Sequence, residues 1–516
     1  MPTQVTNFFT STDYLLTLPM IMLAVFGMGV LLIDLLLPRE LKRANAWVAL
    51  VGLAFSAAAL LKIQYAQFPD GKSVVGSYGY IIGGLGSMKM DAFAIYFFYL
   101  FLGGAALAIL MSMKYLEIEN EDHGEYYALV LFAVIGMMAM TAGMDIVLLF
   151  IGLELMALST YVLVGFLRRD RRSNEAALKY LLLGAFSSGI FAYGLSLVYG
   201  LTGSTNLDVI ALRLTEHLQK SPTDPVAILA MLTVFTGLLF KIAAVPFHQW
   251  APDAYEGAPT TITGFMSVAV KAAAWALLLR VVLWGLPAMR PLYLPLITFV
   301  ALVTLTFGNV AALTQSNVKR LLAYSSISHV GYMMLGLIAS DGTTNNTGIK
   351  GILVYLLVYT FMNLGAFAVI TSLRRRDIIG DDIDDLSGLI TKAPVEAVLM
   401  MVFLLSLAGI PPFAGFWGKY FVFLALIETG HYLLAAVAVL YAVLGLYYYM
   451  RMGNAMFMKT AVDTEPVAAG FGLKATLAVT GIATIVIGIL PNFFIEAATR
   501  SLSLPTSLAP LANFLK

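Results

Sequence analysis

The sequence predicts an all-α polytopic membrane protein of about fourteen transmembrane helices, with two broken helices and two inverted five-helix repeats. Three observations carry that expectation. Of the 516 residues, 60% are hydrophobic and only 12% charged, about half the charged share of a soluble domain, and mean hydropathy is +0.86. Apolar runs of bilayer length, about 20 residues, recur along the chain. Proline interrupts two of these runs at mid-span, at Pro246 and at Pro411–Pro412.

In order, the runs lie near 14–37, 46–64, 91–113, 126–143, 145–167, 176–200, 226–249, 261–285, 292–313, 321–339, 350–373, 394–427, 432–457 and 473–490. The first is too long for a signal-peptide core and lacks a small-residue cleavage site. Arg39, Lys42 and Arg43 follow it, so it reads as a retained span with the N-terminus outside. The inside loops then carry Arg39/Lys42/Arg43, Lys114, Arg168/Arg169/Arg171/Arg172, Lys319/Arg320, Arg374/Arg375/Arg376 and Arg451/Lys459. The outside loops hold scattered Lys72, Lys89, Arg213, Lys220, Arg290 and Lys350. That asymmetry is the positive-inside pattern, and an error of one span would scramble it.

Proline inside a helix removes a backbone donor and clashes with the preceding turn. Helices broken at that depth persist only where protein or a hydrated cavity covers the freed groups, and they recur at ion sites of transporters. Pro246 and Pro411–Pro412 fall in spans separated by four others, which suggests an internal duplication. Residues 1–125 then form an N-terminal three-helix region, 126–285 and 292–457 the two repeats, and 458–516 a C-terminal helix and tail. Five is odd, so the copies are inverted in the membrane.

Composition also excludes. A net charge of +1 offers nucleic acid nothing to bind, and the absence of Cys removes disulfides, thiolate metal sites and cysteine-held iron–sulfur clusters. No GxGxxG after a strand, Walker motif or HExxH occurs. The chain therefore presents no site for nicotinamide, ATP, flavin or iron–sulfur, and redox energy for ion movement must come from another subunit.

The candidate functional residues are ionisable groups within apolar runs: Lys179, Lys241, Lys271, Lys419 and Glu154. A charge near the bilayer centre costs roughly 2.5–3.5 kcal/mol, and a lysine in low dielectric is suited to taking up and releasing protons. Glu154 reads either as half of a structural ion pair or as a path carboxylate tuning a nearby lysine. Lys179, four residues after Glu175, can snorkel, pair with Glu175 along the helix, or join the path. Lys241 precedes Pro246 and His248 follows it, placing two titratable groups on one discontinuous element. Lys271 stands among Ala272, Ala273 and Ala274 with no acid one turn away. His329 follows the hydroxyls of Tyr324, Ser325, Ser326 and Ser328, as packing residue or wet relay. Lys419 follows the double proline with no acid in reach on its own helix, which suits a terminal proton carrier. The acidic stretches EIENEDHGE (117–125) and DIIGDDIDD (377–385) read as solvated linkers or contact faces for a soluble partner.

Three segments, FK-x4-PFHQWAPDAYEGAPT, NVKRLLAYSSISHVGY and GIPPFAGFWGKYF, closely resemble the antiporter-like subunits of respiratory complex I, and the likeness covers nearly the whole chain. PDAYEGAP, a lysine at 419 where the M type has glutamate, and a tail too short for the lateral helix of the L type separate it from those two types. The resemblance implies a pair between Glu154 and Lys241, a central relay at Lys271, an outward connection at Lys419, relay positions at His248 and His329, and a further lysine at Lys179. It implies no cofactor in this chain. NADH, FMN, iron–sulfur clusters and quinone belong to partner subunits, and the partners are the M type and the small K, J and A types in a bacterial inner membrane. Two alternatives stay open: a subunit of a Mrp-type sodium/proton antiporter, and the same subunit in a ferredoxin-driven photosynthetic complex.

Overall fold

The computed structural model describes residues 10–66, 74, 80–82, 86–340, 346–374, 380–461 and 470–502. Lys72, Arg375, Arg376 and residues 377–379 of the second acidic stretch lie outside the described residues, as does the side chain of Arg39.

Eighteen helices concern us: α1 (Ser11–Leu36), α2 (Ala44–Tyr65), α3 (Ala92–Glu119), α4 (Gly124–Ala142), α5 (Ile146–Val164), α6 (Arg171–Thr202), the short α7 (Leu207–Lys220), α8 (Pro225–Ile242), α9 (Trp250–Gly257), α10 (Thr260–Gly285), α11 (Arg290–Leu313), α12 (Val318–Ile338), α13 (Thr347–Ser372), α14 (Pro394–Ala408), α15 (Gly415–Glu428), α16 (Tyr432–Met458), α17 (Phe471–Ile489) and α18 (Asn492–Arg500). Among the described residues, thirteen are long and apolar enough to cross a membrane. The fourteenth span is built from two halves, α14 and α15. A small hairpin, β1 (Tyr80–Ile82) on β2 (Met88–Met90), lies before α3.

Polar caps set the helix starts. Asp91, Asp145, Asp170, Asn206, Asp224 and Asn317 each accept from backbone N–H groups of the first turn of the helix that follows, satisfying donors with no partner inside the helix. α10 is wholly enclosed, and α12 and α13 nearly so, whereas α1 and α16 present most of their surface outward. The core therefore lies along α10, α12 and α13, and those helices carry Lys271 and His329. Close crossings depend on glycine. A Cβ on Gly136 of α4 would stand 2.6 Å from the Gly152 carbonyl of α5, so these two helices meet backbone to backbone.

Both expected breaks are present, with the same backbone. α8 ends at Ile242, Ala243 turns left-handed (φ 62°), and the Val245–Pro246 bond is cis; α14 ends at Ala408, Gly409 turns left-handed (φ 89°), and Pro411–Pro412 is cis. The left-handed residue precedes the cis proline by three positions each time. The exposed backbone is covered, as burial in lipid demands. Val245 N–H donates to Thr304 Oγ1 (3.0 Å), the Trp250 indole to the Phe240 carbonyl (2.9 Å), and Gly415 N–H to Ser406 Oγ (2.9 Å). Proline is not confined to these two spans, however. Pro19 and Pro295 lie inside α1 and α11 without breaking them. Pro295 stands only five residues from the helix start, where few intrahelical bonds exist to be lost.

An ion pair that the sequence reading did not anticipate ties α10 to the start of α3. Arg280, fully buried, donates to both oxygens of Asp91 (2.7 and 3.0 Å) and to the Thr141 carbonyl (2.9 Å). The Phe93 and Trp284 rings lie 4.8 and 4.7 Å from its guanidinium carbon.

Candidate functional site

Lys241, Lys271 and Lys419 are 5%, 2% and 6% exposed, and among the described residues none makes an ion pair with a carboxylate. Each is held instead by hydroxyls, carbonyls and aromatic faces. Lys241, in the last turn of α8, donates to Tyr161 Oη at 3.4 Å, with its ammonium 5.6 Å from that ring's centre. Tyr161 is seven residues from Glu154 on α5, hence on the same face. Glu154 and Lys241 do not reach ion-pair distance. The carboxylate acts on Lys241 through its field, and its buried Oε1 has no hydrogen-bond partner. The direct pair implied by the resemblance is thus a separated one, with Tyr161 against the lysine.

Lys271 follows a widened π-helical turn at Met266–Val270, a local feature that often marks functional sites. Its ammonium donates to both the hydroxyl and the carbonyl (3.3 Å) of Ser326 and lies 6.0 Å from the Tyr255 ring. Rings occupy the interval back to Lys241. Tyr161 meets Tyr180 edge-on at 4.6 Å, Tyr180 stacks on Trp250 at 4.5 Å, and Trp250 stands 6.3 Å from Tyr255.

His329, one turn beyond Ser326 on α12, shares a 2.5 Å hydrogen bond through Nδ1 with Tyr355 Oη and one of 3.1 Å through Nε2 with Tyr449 Oη, which in turn bonds Ser325 Oγ. The charges of Lys271 and Lys419 both reach it. Tyr332 lies 6.2 Å further along, and its ring centre is 5.0 Å from the Lys419 ammonium. Lys419 donates to the Ala408 carbonyl (2.7 Å), an acceptor without a helical partner because α14 stops there.

Two predicted site residues stand apart from the chain of lysines. Lys179 is exposed and paired with Glu175 (2.8 Å) and Asp253 (3.1 Å). α6 starts at Arg171, so Lys179 stands two turns in on an outward face. His248 lies in the link between α8 and α9, buried against the Phe307 ring (4.7 Å) with Nδ1 unpartnered; it makes no hydrogen bond to Lys241 or Lys271.

The sequence reading missed the tyrosines, which come from α5, α6, α9, α12, α13 and α16. One signal was available: Tyr355 and Tyr359, four apart in an apolar span, both pack on His329 (5.6 and 5.1 Å). It also took Lys319 for a surface charge. Lys319 is buried, donates to the Ala258 carbonyl (2.9 Å) and pairs with Asp381 (3.4 Å). The acidic stretches are correspondingly not free linkers. Asp381 is buried, and Glu119 binds Arg374 (2.5 Å).

A fourteen-span bundle with two matched breaks and three enclosed lysines defines an antiporter-like membrane subunit. Residues 143–445 match the family model described as NADH:quinone oxidoreductase/Mrp antiporter, transmembrane, and the chain belongs to that family. NADH-quinone oxidoreductase subunit N 1 of Koribacter versatilis is 65% identical over 506 residues, covering 97% of this chain and 98% of the relative. Subunit N 2 of Solibacter usitatus is 53% identical over 499 residues, covering 96% and 98%. A chain of respiratory complex I from Thermus thermophilus shares 32% identity and superposes with a TM-score of 0.76 over 93% of this chain and 99% of that one.

Proposed function

We propose that this chain is the proton-translocating membrane-arm subunit of an NADH:quinone oxidoreductase. The observation that carries this reading is a set of three enclosed lysines, free of carboxylate ion pairs and joined by side chains that can exchange or bracket protons. Membrane-buried ionisable groups mark ion paths, and the near-complete coverage by N subunits directs the reading towards complex I. NADH, FMN, iron–sulfur clusters and quinone belong to the partner subunits, and the neighbours are the M-type subunit and the small K, J and A types. The basic-rich ends of the helices face the cytoplasm of a bacterial cell, and the N-terminus lies outside.

In this reading Glu154 sets the field at Lys241. A change in that field releases the Lys241 proton past Tyr161 towards Lys271. Ser326 and His329 connect Lys271 to Lys419, and Lys419 delivers outward. His248 contributes a second titratable group at the first break, and Lys179 holds the inner half of that broken helix through Asp253. The repeats are 126–285 and 292–457, with 1–125 and 458–516 flanking them. The matched breaks support this division, as do the backbone bridges Asp145 to Asn206 and Asn317 to Asp382, which tie equivalent helix starts.

The test uses membranes carrying Lys241→Ala, Lys271→Ala or Lys419→Ala in the assembled complex. NADH:quinone electron flow and proton uptake into inverted vesicles should both fall. Normal values for all three would overturn the reading.

A further inference from the structure

The basic-rich end of the bundle holds two adjoining cavities that the relay does not use. The outer, about 240 Å³, is rimmed by the exposed Arg172, Glu175 and Lys179, with Asp253, Glu256 and Arg320 on its wall. The inner, about 20 Å³, shares Arg172 and Glu256 with it and is closed by Lys319, Arg374 and Asp381. That volume suffices for about one water, and its walls supply the polar partners a water requires.

Asp381 is the buried acid of this inner cavity. It is 6% exposed. Its Oδ2 stands 3.4 Å from the Lys319 ammonium, while Oδ1 is buried with no partner. Its backbone is fixed, since Val318 N–H donates to the Asp381 carbonyl (2.6 Å) and Asn317 bridges Asp382. A carboxylate oxygen left bare in so charged a cavity is an acceptor waiting for a donor.

Beyond the cavity, hydroxyl side chains lie along α10 between it and the relay. Lys319 grips the Ala258 carbonyl (2.9 Å), and Thr260, on the cavity wall, opens α10. Thr263, Ser267 and Lys271 follow on α10 at four-residue spacing. Ser267 accepts from Asn363 Nδ2 (2.7 Å), whose own Oδ1 is buried and unpartnered. Hydroxyls and a second bare acceptor thus lead from Asp381 towards the central lysine.

We propose that Asp381 is the inner loading site of the relay, the carboxylate that takes a proton from the cytoplasmic solution and passes it along α10 to Lys271. The proton bonds to Oδ1 from water in the cavities, then leaves by the same oxygen towards the hydroxyls of α10, so the carboxylate is restored in each cycle. Burial pushes the Asp381 carboxyl up from the ordinary carboxylate value, opposed by Lys319 on α12, Arg374 at the end of α13 and Arg172 on α6. Among the described residues, Glu256 on α9, Asp170 before α6 and Tyr115 on α3 are the other titratable groups lining the cavity. Raised in this way, the group loads from a solution near neutrality more readily than an exposed aspartate.

This inference rests on the relay reading, so the experiment separates the two. NADH-driven proton uptake by inverted vesicles is recorded against medium pH for the intact complex carrying Asp381→Asn, Asp381→Glu or, as reference, Lys271→Met. Asp381→Asn should pump several-fold more slowly at every pH and lack the decline that the wild type shows as pH rises through the Asp381 titration. Small permeant acids such as azide should restore part of the rate, and Asp381→Glu should pump with a displaced pH profile. An Asp381→Asn complex with the wild-type rate and profile overturns the loading site, as does a loss that neither glutamate nor azide repairs. If Asp381→Asn does not assemble, Asp381→Glu decides alone: a displaced profile supports the site and an unchanged one overturns it. Wild-type pumping by Lys271→Met removes Lys271 from the relay and this inference with it. Failure of Lys271→Met beside a normal Asp381→Asn removes only the loading site.

Discussion

Adding one methyl group at Gly184 should disable the relay without altering any charge. Gly184 lies on α6 against Tyr161, and a Cβ there would stand 2.6 Å from that ring's Cζ and closer still to its hydroxyl. Ordinary contact begins at about 3.4 Å, so the ring must retreat by about 0.8 Å or more. Tyr180, edge-on at 4.6 Å and itself stacked on Trp250, restricts that retreat. The Lys241–Tyr161 hydrogen bond is already long at 3.4 Å and does not survive such a shift. A charged hydrogen bond of this kind contributes about 1.5–3 kcal/mol, overpacking costs about 1–3 kcal/mol, and a 1 Å misplacement in a reacting array can cost about 100-fold in rate. Gly184→Ala is therefore expected to assemble and to lose at least about tenfold in NADH-driven proton uptake by vesicles. Tyr161→Phe, which removes the hydroxyl with no added bulk, should show a comparable loss. If Gly184→Ala assembles and pumps like the wild type, the Tyr161 hydroxyl has no part in proton transfer at Lys241.

Other expectations follow from neighbouring features. Asp91→Asn leaves the fully buried Arg280 guanidinium uncompensated and should destabilise the subunit by about 3–5 kcal/mol, read as lost assembly or early thermal inactivation, whereas pairing it with Arg280→Leu should recover much of the loss. Gly409→Ala forces an L-residue into φ 89° and drives its Cβ to 2.7 Å from Lys419 Cδ; pumping should collapse while electron flow in the isolated peripheral arm persists. Ala243→Gly relieves a left-handed alanine and should raise thermal stability by up to about 1 kcal/mol. Because burial raises Asp381 above its ordinary value, the native state keeps that proton to higher pH than the unfolded chain does. Its contribution to stability is present at low pH and fades as pH rises through the native titration, so the slope of inactivation temperature against pH should flatten in Asp381→Asn.

The span count and both breaks were legible because the bilayer imposes a length and proline imposes a stop, and each acts on a local stretch of sequence. The lysines at 241, 271 and 419 were legible for the same reason: a charge within twenty apolar residues needs no tertiary context to be conspicuous. What stayed hidden depends on facing. Lys319 and Arg320 are adjacent in sequence, yet neighbours on a helix point about 100° apart, so Lys319 turns to the α9–α10 junction and Arg320 to Asp253 and Glu256. Lys179 looked enclosed because the apolar run around it is long, but periodicity alone does not say which side of α6 meets protein. The tyrosines around His329 arrive from α13 and α16, far away in sequence, and no local pattern joins them to a histidine on α12. Asp381 hid within a run of acids whose composition suits a solvated loop.

The two breaks share a backbone but differ in what holds them shut. At the first, the Trp250 indole, which cannot titrate, occupies the Phe240 carbonyl. At the second, the Ala408 carbonyl is occupied by Lys419 itself. Any movement of Lys419 out of this position strips that carbonyl of its donor in an apolar setting, a loss of about 1–3 kcal/mol that draws the lysine back. One hinge is thus riveted by an indole that carries no charge to change, while the other is clasped by a lysine, so the closure of the second break depends on where that one side chain stands.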